Sequence, residues 1–260
     1  MFDPLPDLAS ARILISNDDG IEAPGIKMLE RVARSLSNDV WVVAPETEQS
    51  AVAHSLTVRR PLRIRRLSRR RFAVDGTPTD SVLLGVRHVL KDRRPDLVLS
   101  GINRGANLGE DVTYSGTVAA AMEGTLLGVP SIAFSQLVNG DDPVCWATAE
   151  HWAGEILRRV TAVGWPSNVL INVNFPDLPK NQVTGIEVVR QGKRKLGDDL
   201  AERVDPRGQT YFWVGAQRTE DPGVPGSDLE AVLRGAVTVT PLCVDFTSAE
   251  TMSRLAAVFR

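Results

Sequence analysis

Two apolar periods alternate along this chain, and the switches between them mark its elements. Arg12-Ile13-Leu14-Ile15-Ser16-Asn17 is a short, β-branched apolar run, the pattern of a strand buried on both faces. Pro24 suits the first turn of a helix, and Ile26, Met28, Leu29, Val32, Ala33 and Leu36 carry a helical stripe to about Ser37. Val40-Trp41-Val42-Val43-Ala44 is a second buried strand, closed by Pro45. A strand, a helix and a strand joined this closely make a right-handed crossover, so the sheet starts parallel.

Arg59 to Arg71 holds eight arginines in thirteen positions, and the alternation in Leu62-Arg63-Ile64-Arg65 fits strands with one wet face. A solvated charged hairpin accounts for it. In Asp75-Gly76-Thr77-Pro78-Thr79-Asp80-Ser81, Thr77 suits an N-cap, Pro78 the first helical position and Asp80 the dipole, with the helix running to about Lys91. Pro95 to Ser100 reads as a third parallel strand, and Tyr114 to Gly124 contains a helix opening at Ser115-Gly116-Thr117. Strands follow at Ser131–Ser135, Val169–Phe175, Gly185–Arg190 and Ala236–Leu242, and helices at Cys145–Val163, Asp228–Arg234 and Ala249–Val258. The stretch 191–226 is charged and rich in glycine and proline around one aromatic strand, Tyr211-Phe212-Trp213-Val214. The expected fold is α/β: Rossmann-like, three-layer, with a largely parallel sheet flanked by helices and a protruding C-terminal β-hairpin arm. One domain spans 1–260, with its core at about 11–190 and 227–260 and the arm at about 191–226.

Composition narrows the class. The 260 residues are 43% apolar, enough for a sizeable core. A formal net charge of −2 gives no basic excess for a nucleic-acid polymer. Cys145 and Cys243 match no metal or redox spacing and read as reduced thiols of a cytoplasmic protein. The first residues lack the regions of a signal peptide, and no apolar run reaches the roughly 20 residues of a membrane helix.

In an open parallel sheet, ligands bind outside the carboxyl ends of the strands. Three polar joints occupy that position: Asn17-Asp18-Asp19-Gly20, Glu46 to Ser55, and Ser100 to Asp111. Asn-Asp-Asp-Gly is good turn chemistry, and a solvated turn is one reading. The other is a metal site, because adjacent carboxylates repel unless a cation compensates them. The oxygen-rich donors of these joints suit Mg²⁺ or Mn²⁺ better than Zn²⁺. Gly101, Gly105 and Gly109 fit neither the dinucleotide fingerprint nor the lysine-containing phosphate loop. The helix start at Ser115-Gly116-Thr117 offers amide groups and a dipole to a phosphate. A dianion site facing a carboxylate-held metal is apparatus for phosphoryl transfer to water. His88 and His151 lie in helical stretches with no partner pattern and read as structural.

These stretches together resemble the SurE (survival protein E) family of metal-dependent 5′/3′-nucleotidases. The resemblance rests on Ile15 to Gly20, Asp75 to Asp80, Ser100 to Gly109 and Tyr114 to Ala121, with later matches at Asp205 to Gly208, Tyr211 to Gly215 and Val237 to Leu242. It implies one divalent ion per subunit, Mg²⁺ or Mn²⁺, held by Asp18, Asp19, Ser50 and Asn103, with Asp18 and Asp19 also catalytic. It implies hydrolysis of nucleoside 5′- or 3′-monophosphates, with activity on short polyphosphate allowed. Ser115, Gly116, Thr117 and Asn107 would meet the phosphate. The second joint departs from the family pattern: Ala51 follows Ser50 where glycine is usual, and His54 stands where asparagine is usual, so His54 is a further substrate-binding candidate. A phosphoaspartate route through Asp18 lacks the Asp-x-Asp arrangement it needs, and a non-catalytic nucleotide- or metal-binding regulator remains open on the same fold. The arm is expected to join a homodimer or homotetramer through Tyr211 to Val214, the alternative being that these rings are core.

Overall fold

The computed structural model describes residues 1–140, 143–196, 200–214, 218–221 and 224–259. The chain forms β1 (Arg12–Ser16), α1 (Pro24–Arg34), β2 (Asp39–Pro45), β3 (Ile64–Ser68), β4 (Arg71–Val74) and α2 (Pro78–Leu84). It continues with β5 (Leu97–Arg104), α3 (Gly116–Leu126), β6 (Ser131–Gln136), α4 (Trp146–Thr161), β7 (Val169–Phe175) and β8 (Gly185–Val188). Four strands follow, β9 (Lys193–Leu196), β10 (Leu200–Val204), β11 (Thr210–Val214) and β12 (Arg218–Asp221), and then α5 (Asp228–Leu233), β13 (Ala236–Cys243) and α6 (Ala249–Val258).

Nine strands make one sheet in the order β3-β4-β2-β1-β5-β6-β7-β13-β8. The run from β4 to β7 is parallel throughout. β3 is antiparallel to β4, and β13 enters antiparallel to β7 with β8 parallel beside it. The sheet is therefore mixed but mostly parallel, as expected. The charged hairpin forms as β3–β4, and it is no isolated ribbon, since β4 extends the main sheet beside β2.

Alternation along β1 explains the three layers. Ile13 and Ile15 pack with Ile26, Leu29 and Val32 of α1 and Ala153, Ile156 and Leu157 of α4. Leu14 points to the other face and packs with Val82 of α2 and Ala120 of α3. These side chains are fully or almost fully buried, as a sheet covered on both faces requires. Thr77 caps α2 in a reciprocal capping box with Asp80. The expected helix to Lys91 loses its α register earlier. Gly85–Val89 forms a π turn, in which the Leu90 amide donates to the Gly85 carbonyl at 2.9 Å.

β9 pairs with β12 and β10 with β11, each pair an antiparallel two-stranded ribbon. Parts of the expected arm, at 197–199, 215–217 and 222–223, lie outside the described residues. Tyr211, Phe212, Trp213 and Val214 are all exposed, which removes the core reading for them within one chain. α6 also buries none of its residues.

Candidate active site

β1 lies between β2 and β5, so the chain leaves β1 in one direction and later returns on its other side. That makes the β1/β5 boundary the topological switch point of the sheet. The register pairs Ser16 with Ser100, so Asn17-Asp18-Asp19, leaving β1, run beside the last residues of β5, Ile102-Asn103-Arg104, which stay paired with β6. The Arg104 amide donates to Asp19 Oδ2 at 3.2 Å. Asn17 turns inward, and its side-chain amide donates to the Gly20 carbonyl at 2.9 Å, closing the turn that presents the carboxylates. Gly20 has φ +94, and a Cβ there would lie 3.2 Å from the Thr47 backbone, so the turn needs glycine. The second joint is drawn in by the Gln49 amide, which donates to the Asp18 carbonyl at 2.8 Å.

The result is a polar cleft of about 300 Å³. Asp18, Asp19, Ser50, Asn103, Asn107 and Ser115 all line it. Ser50 Oγ donates to Glu48 Oε1 at 2.7 Å, and Asn103 Nδ2 donates to the Gly105 carbonyl at 2.8 Å. Asn103 therefore keeps its amide oxygen for another partner. Asn107 Nδ2 donates to Ser135 Oγ at 2.8 Å, while its carbonyl accepts from Asn172 and Asn174. Ser115 accepts from the Val118 amide as the N-cap of α3, which leaves its hydroxyl proton to donate.

Two residues stand differently from the simple picture of a phosphate-binding helix start. The Thr117 hydroxyl is buried and donates to Asp18 Oδ1. The Thr117 amide also bonds the Asp18 carboxylate. The positive end of α3 is thus spent on Asp18 itself. Gly116 permits that approach, because a Cβ there would sit 2.7 Å from Asp18 Cβ. His54 lies outside the cleft, in an adjoining hollow, with Nε2 2.9 Å from Glu123 Oε2. Neither His88 nor His151 lines the cleft.

Electrostatics single out the carboxylates. Burial holds the Asp18 carboxyl above its ordinary value despite its bonds from Thr117. Burial, and next the charge of Asp18, push Asp19 up to about 7, with Glu48 adding to both shifts. Glu48 and Arg104 line the cleft as well and are functional candidates that the sequence reading passed over. Glu48 was discoverable as a carboxylate two positions before Ser50 in the same polar joint. Among the described residues no group of three His, Cys, Asp or Glu side chains forms a metal cluster. The oxygen donors of Asp18, Asp19, Ser50 and Asn103 nevertheless fit a hard divalent cation, whose charge would relieve the crowding that lifts Asp19.

A mostly parallel α/β sheet with a carboxylate-lined cleft at its switch point defines a nucleotide- or phosphate-handling class of α/β protein. Comparison with known proteins narrows the class. Residues 13–198 match the family model described as Survival protein SurE. The chain belongs to the SurE family. A protein of Paramagnetospirillum magneticum named 5′-nucleotidase SurE is 69% identical over 258 residues, covering 99% of each chain. One of the same name from Rhodospirillum rubrum is 60% identical over the full length of both. The crystal structure of SurE protein from Aquifex aeolicus superposes with a TM-score of 0.84 at 42% identity, covering 96% of this chain and 100% of that one.

Proposed function

We infer that this chain is a 5′-nucleotidase, a phosphoric monoester hydrolase that converts nucleoside 5′- or 3′-monophosphates to nucleoside and phosphate. The observation that carries the reading is the convergence of Asp18, Asp19, Ser50, Asn103 and Asn107 from three separate joints, and of Ser115 from the cap of α3, on one cleft. Relatives named 5′-nucleotidase SurE at 60–69% identity support it. A single Mg²⁺ or Mn²⁺ held by Asp18, Asp19, Ser50 and Asn103 would supply positive charge to a phosphate oxygen and acidify a water.

The protein's own residues do the positioning. Thr117 fixes the Asp18 carboxylate by hydroxyl and amide, so the carboxylate enters the reaction already oriented. The Arg104 amide holds Asp19 by donating to its Oδ2. Ser115 and Asn107 line the cleft, and the Ser115 hydroxyl and the second amide proton of Asn107 would serve as donors to phosphate oxygens. Asp19 borders the same cleft, where its carboxylate would help hold the metal and orient the attacking water.

The arm and α6 carry the assembly. Exposed Tyr211 to Val214 on the ribbon and exposed Met252, Leu255 and Val258 on α6 favour a homodimer or homotetramer, because such rows of apolar side chains are normally covered. Among the described residues no helix is long and apolar enough to cross a membrane. The free thiols of Cys145 and Cys243 suit the reducing cytoplasm. The test is phosphate release from AMP with Mn²⁺, with Mg²⁺ and with chelator, by wild type and Asp18→Asn. Turnover is expected only with metal and only in wild type. Metal-independent turnover, or full activity in Asp18→Asn, overturns the reading.

A further inference from the structure

Beside the carboxylate cleft lies a second hollow of about 540 Å³, larger than the cleft and of opposite character. Val118 and Met122 of α3 and Leu242 and Phe246 of the C-terminal segment form its apolar walls. Thr113, Gln191 and His54 supply polar groups at its edges. Ser115 lines both spaces, so they meet at the cap of α3. Their common wall is closed by the Ala53 amide, which donates to the Tyr114 carbonyl at 3.1 Å.

We propose that this hollow seats the nucleoside half of the substrate, with His54, held by Glu123, as the group that reads it. The proposal rests on the nucleotidase reading and deepens it. A nucleoside monophosphate is chemically two-sided: a dianion that needs polar donors, and a flat base that needs apolar faces and a few edge contacts. The two adjoining spaces divide in the same way. A few hundred Å³, mostly apolar with few polar groups, is the usual make-up of a small-molecule site. Phosphate oxygens at the Ser115 hydroxyl would leave the rest of the molecule at the mouth of the hollow.

His54 is suited to the reading role by its partner. Nε2 lies 2.9 Å from Glu123 Oε2, and Glu123 is largely buried on α3, so the ring is fixed in orientation. With Nε2–H donated to the carboxylate, Nδ1 is left as the acceptor for a ribose hydroxyl or an exocyclic amine. The loop carrying it is unusual, because Ala51 and Ala53 hold φ of 56 and 52, a conformation that non-glycine residues rarely adopt. The His54–Glu123 contact and the Ala53–Tyr114 bond tie this loop down over the seam between the two spaces.

The test uses adenosine, AMP and ethyl phosphate, a monoester with no base or sugar. Calorimetry should detect adenosine binding to the wild-type protein, at least tenfold weaker binding to Met122→Trp, which fills the hollow, and weaker binding to His54→Ala with partial rescue in His54→Asn. The ratio of kcat/KM for AMP over ethyl phosphate should fall at least tenfold in Met122→Trp and in His54→Ala. Adenosine that binds both variants as wild type, or an unchanged ratio, overturns the assignment. If the ratio stays while Met122→Trp alters the sedimentation coefficient, the hollow is a subunit contact and the proposal again fails. A wild type that binds adenosine in the hollow but hydrolyses neither ester would sink the nucleotidase reading and leave the hollow's ligand standing.

Discussion

Asp19 gives the sharpest test of the cleft. Its carboxyl titrates near 7 in the folded protein against an ordinary 3.8, through burial and the neighbouring Asp18 charge. Between about pH 4 and pH 7 the folded metal-free protein therefore holds a proton that the unfolded chain has lost. Stability is fully present below the lower value and falls as pH rises through the upper one. A difference of about three pH units corresponds to about 4 kcal/mol. Asp19 borders the open cleft, where water and salt weaken its interactions, so about 2 kcal/mol is the working expectation. Asn mimics the protonated side chain. Urea melts in chelator should show wild type and Asp19→Asn equally stable at about pH 3, below the lower value, and the variant more stable by about 2 kcal/mol at pH 8. Mn²⁺ should remove the wild-type deficit and do little for the variant. A wild-type profile that tracks the variant from about pH 3 to 8, or a variant less stable at pH 8, would show that the carboxylate is not under the strain described.

Thr117→Val keeps the shape of a buried side chain and removes its hydroxyl bond to Asp18. It should lower stability by about 1.5–3 kcal/mol, the range for a bond to a charged group, and depress kcat more than it raises KM; a variant within 0.5 kcal/mol (roughly the scatter of surface substitutions) with normal kcat refutes the positioning role. Asp228 accepts from the amides of Gly109, Gly192 and Leu229. Asp228→Ala should cost about 3 kcal/mol and speed hydrogen exchange at Gly109 and Gly192, which join the cleft wall to the root of the arm; unaltered exchange would disprove that link. Replacing 193–224 by a short Gly-Ser loop should shift sedimentation velocity to a smaller species, and an unchanged oligomer, or a monomeric wild type, would show that the arm is not an interface.

The first βαβ unit was legible because its core is local. Ile13, Leu14 and Ile15 bury on both faces, so no alternation masks the strand, and α1 carries one stripe. The chemistry of the strand-end joints was legible for a related reason: in a parallel sheet every such joint opens on the same edge, so residue types at the ends of three strands already locate the cleft. The arm's own strands were mostly hidden. β9 is Lys-Arg-Lys-Leu and β12 Arg-Thr-Glu-Asp, which show no apolar period, and backbone pairing across the ribbon holds them together. Arg194 in β9 finds Asp111 across 83 residues, inside the protein, and no local pattern announces a buried ion pair at that separation.

By itself the sequence determined which segments bury, where the helices start, and which oxygen-bearing residues stand at strand ends, because propensity, capping and hydrophobic period are written within a few residues. Tertiary structure alone decided that β13 inserts between β7 and β8, antiparallel to the first and parallel to the second, that Glu48 joins the carboxylates, that His54 turns to Glu123 in a neighbouring hollow, and that the helix start of α3 is committed to Asp18 through Thr117. Each of these depends on distance between residues remote in the chain, and the direction in which a side chain points is set by what packs against it.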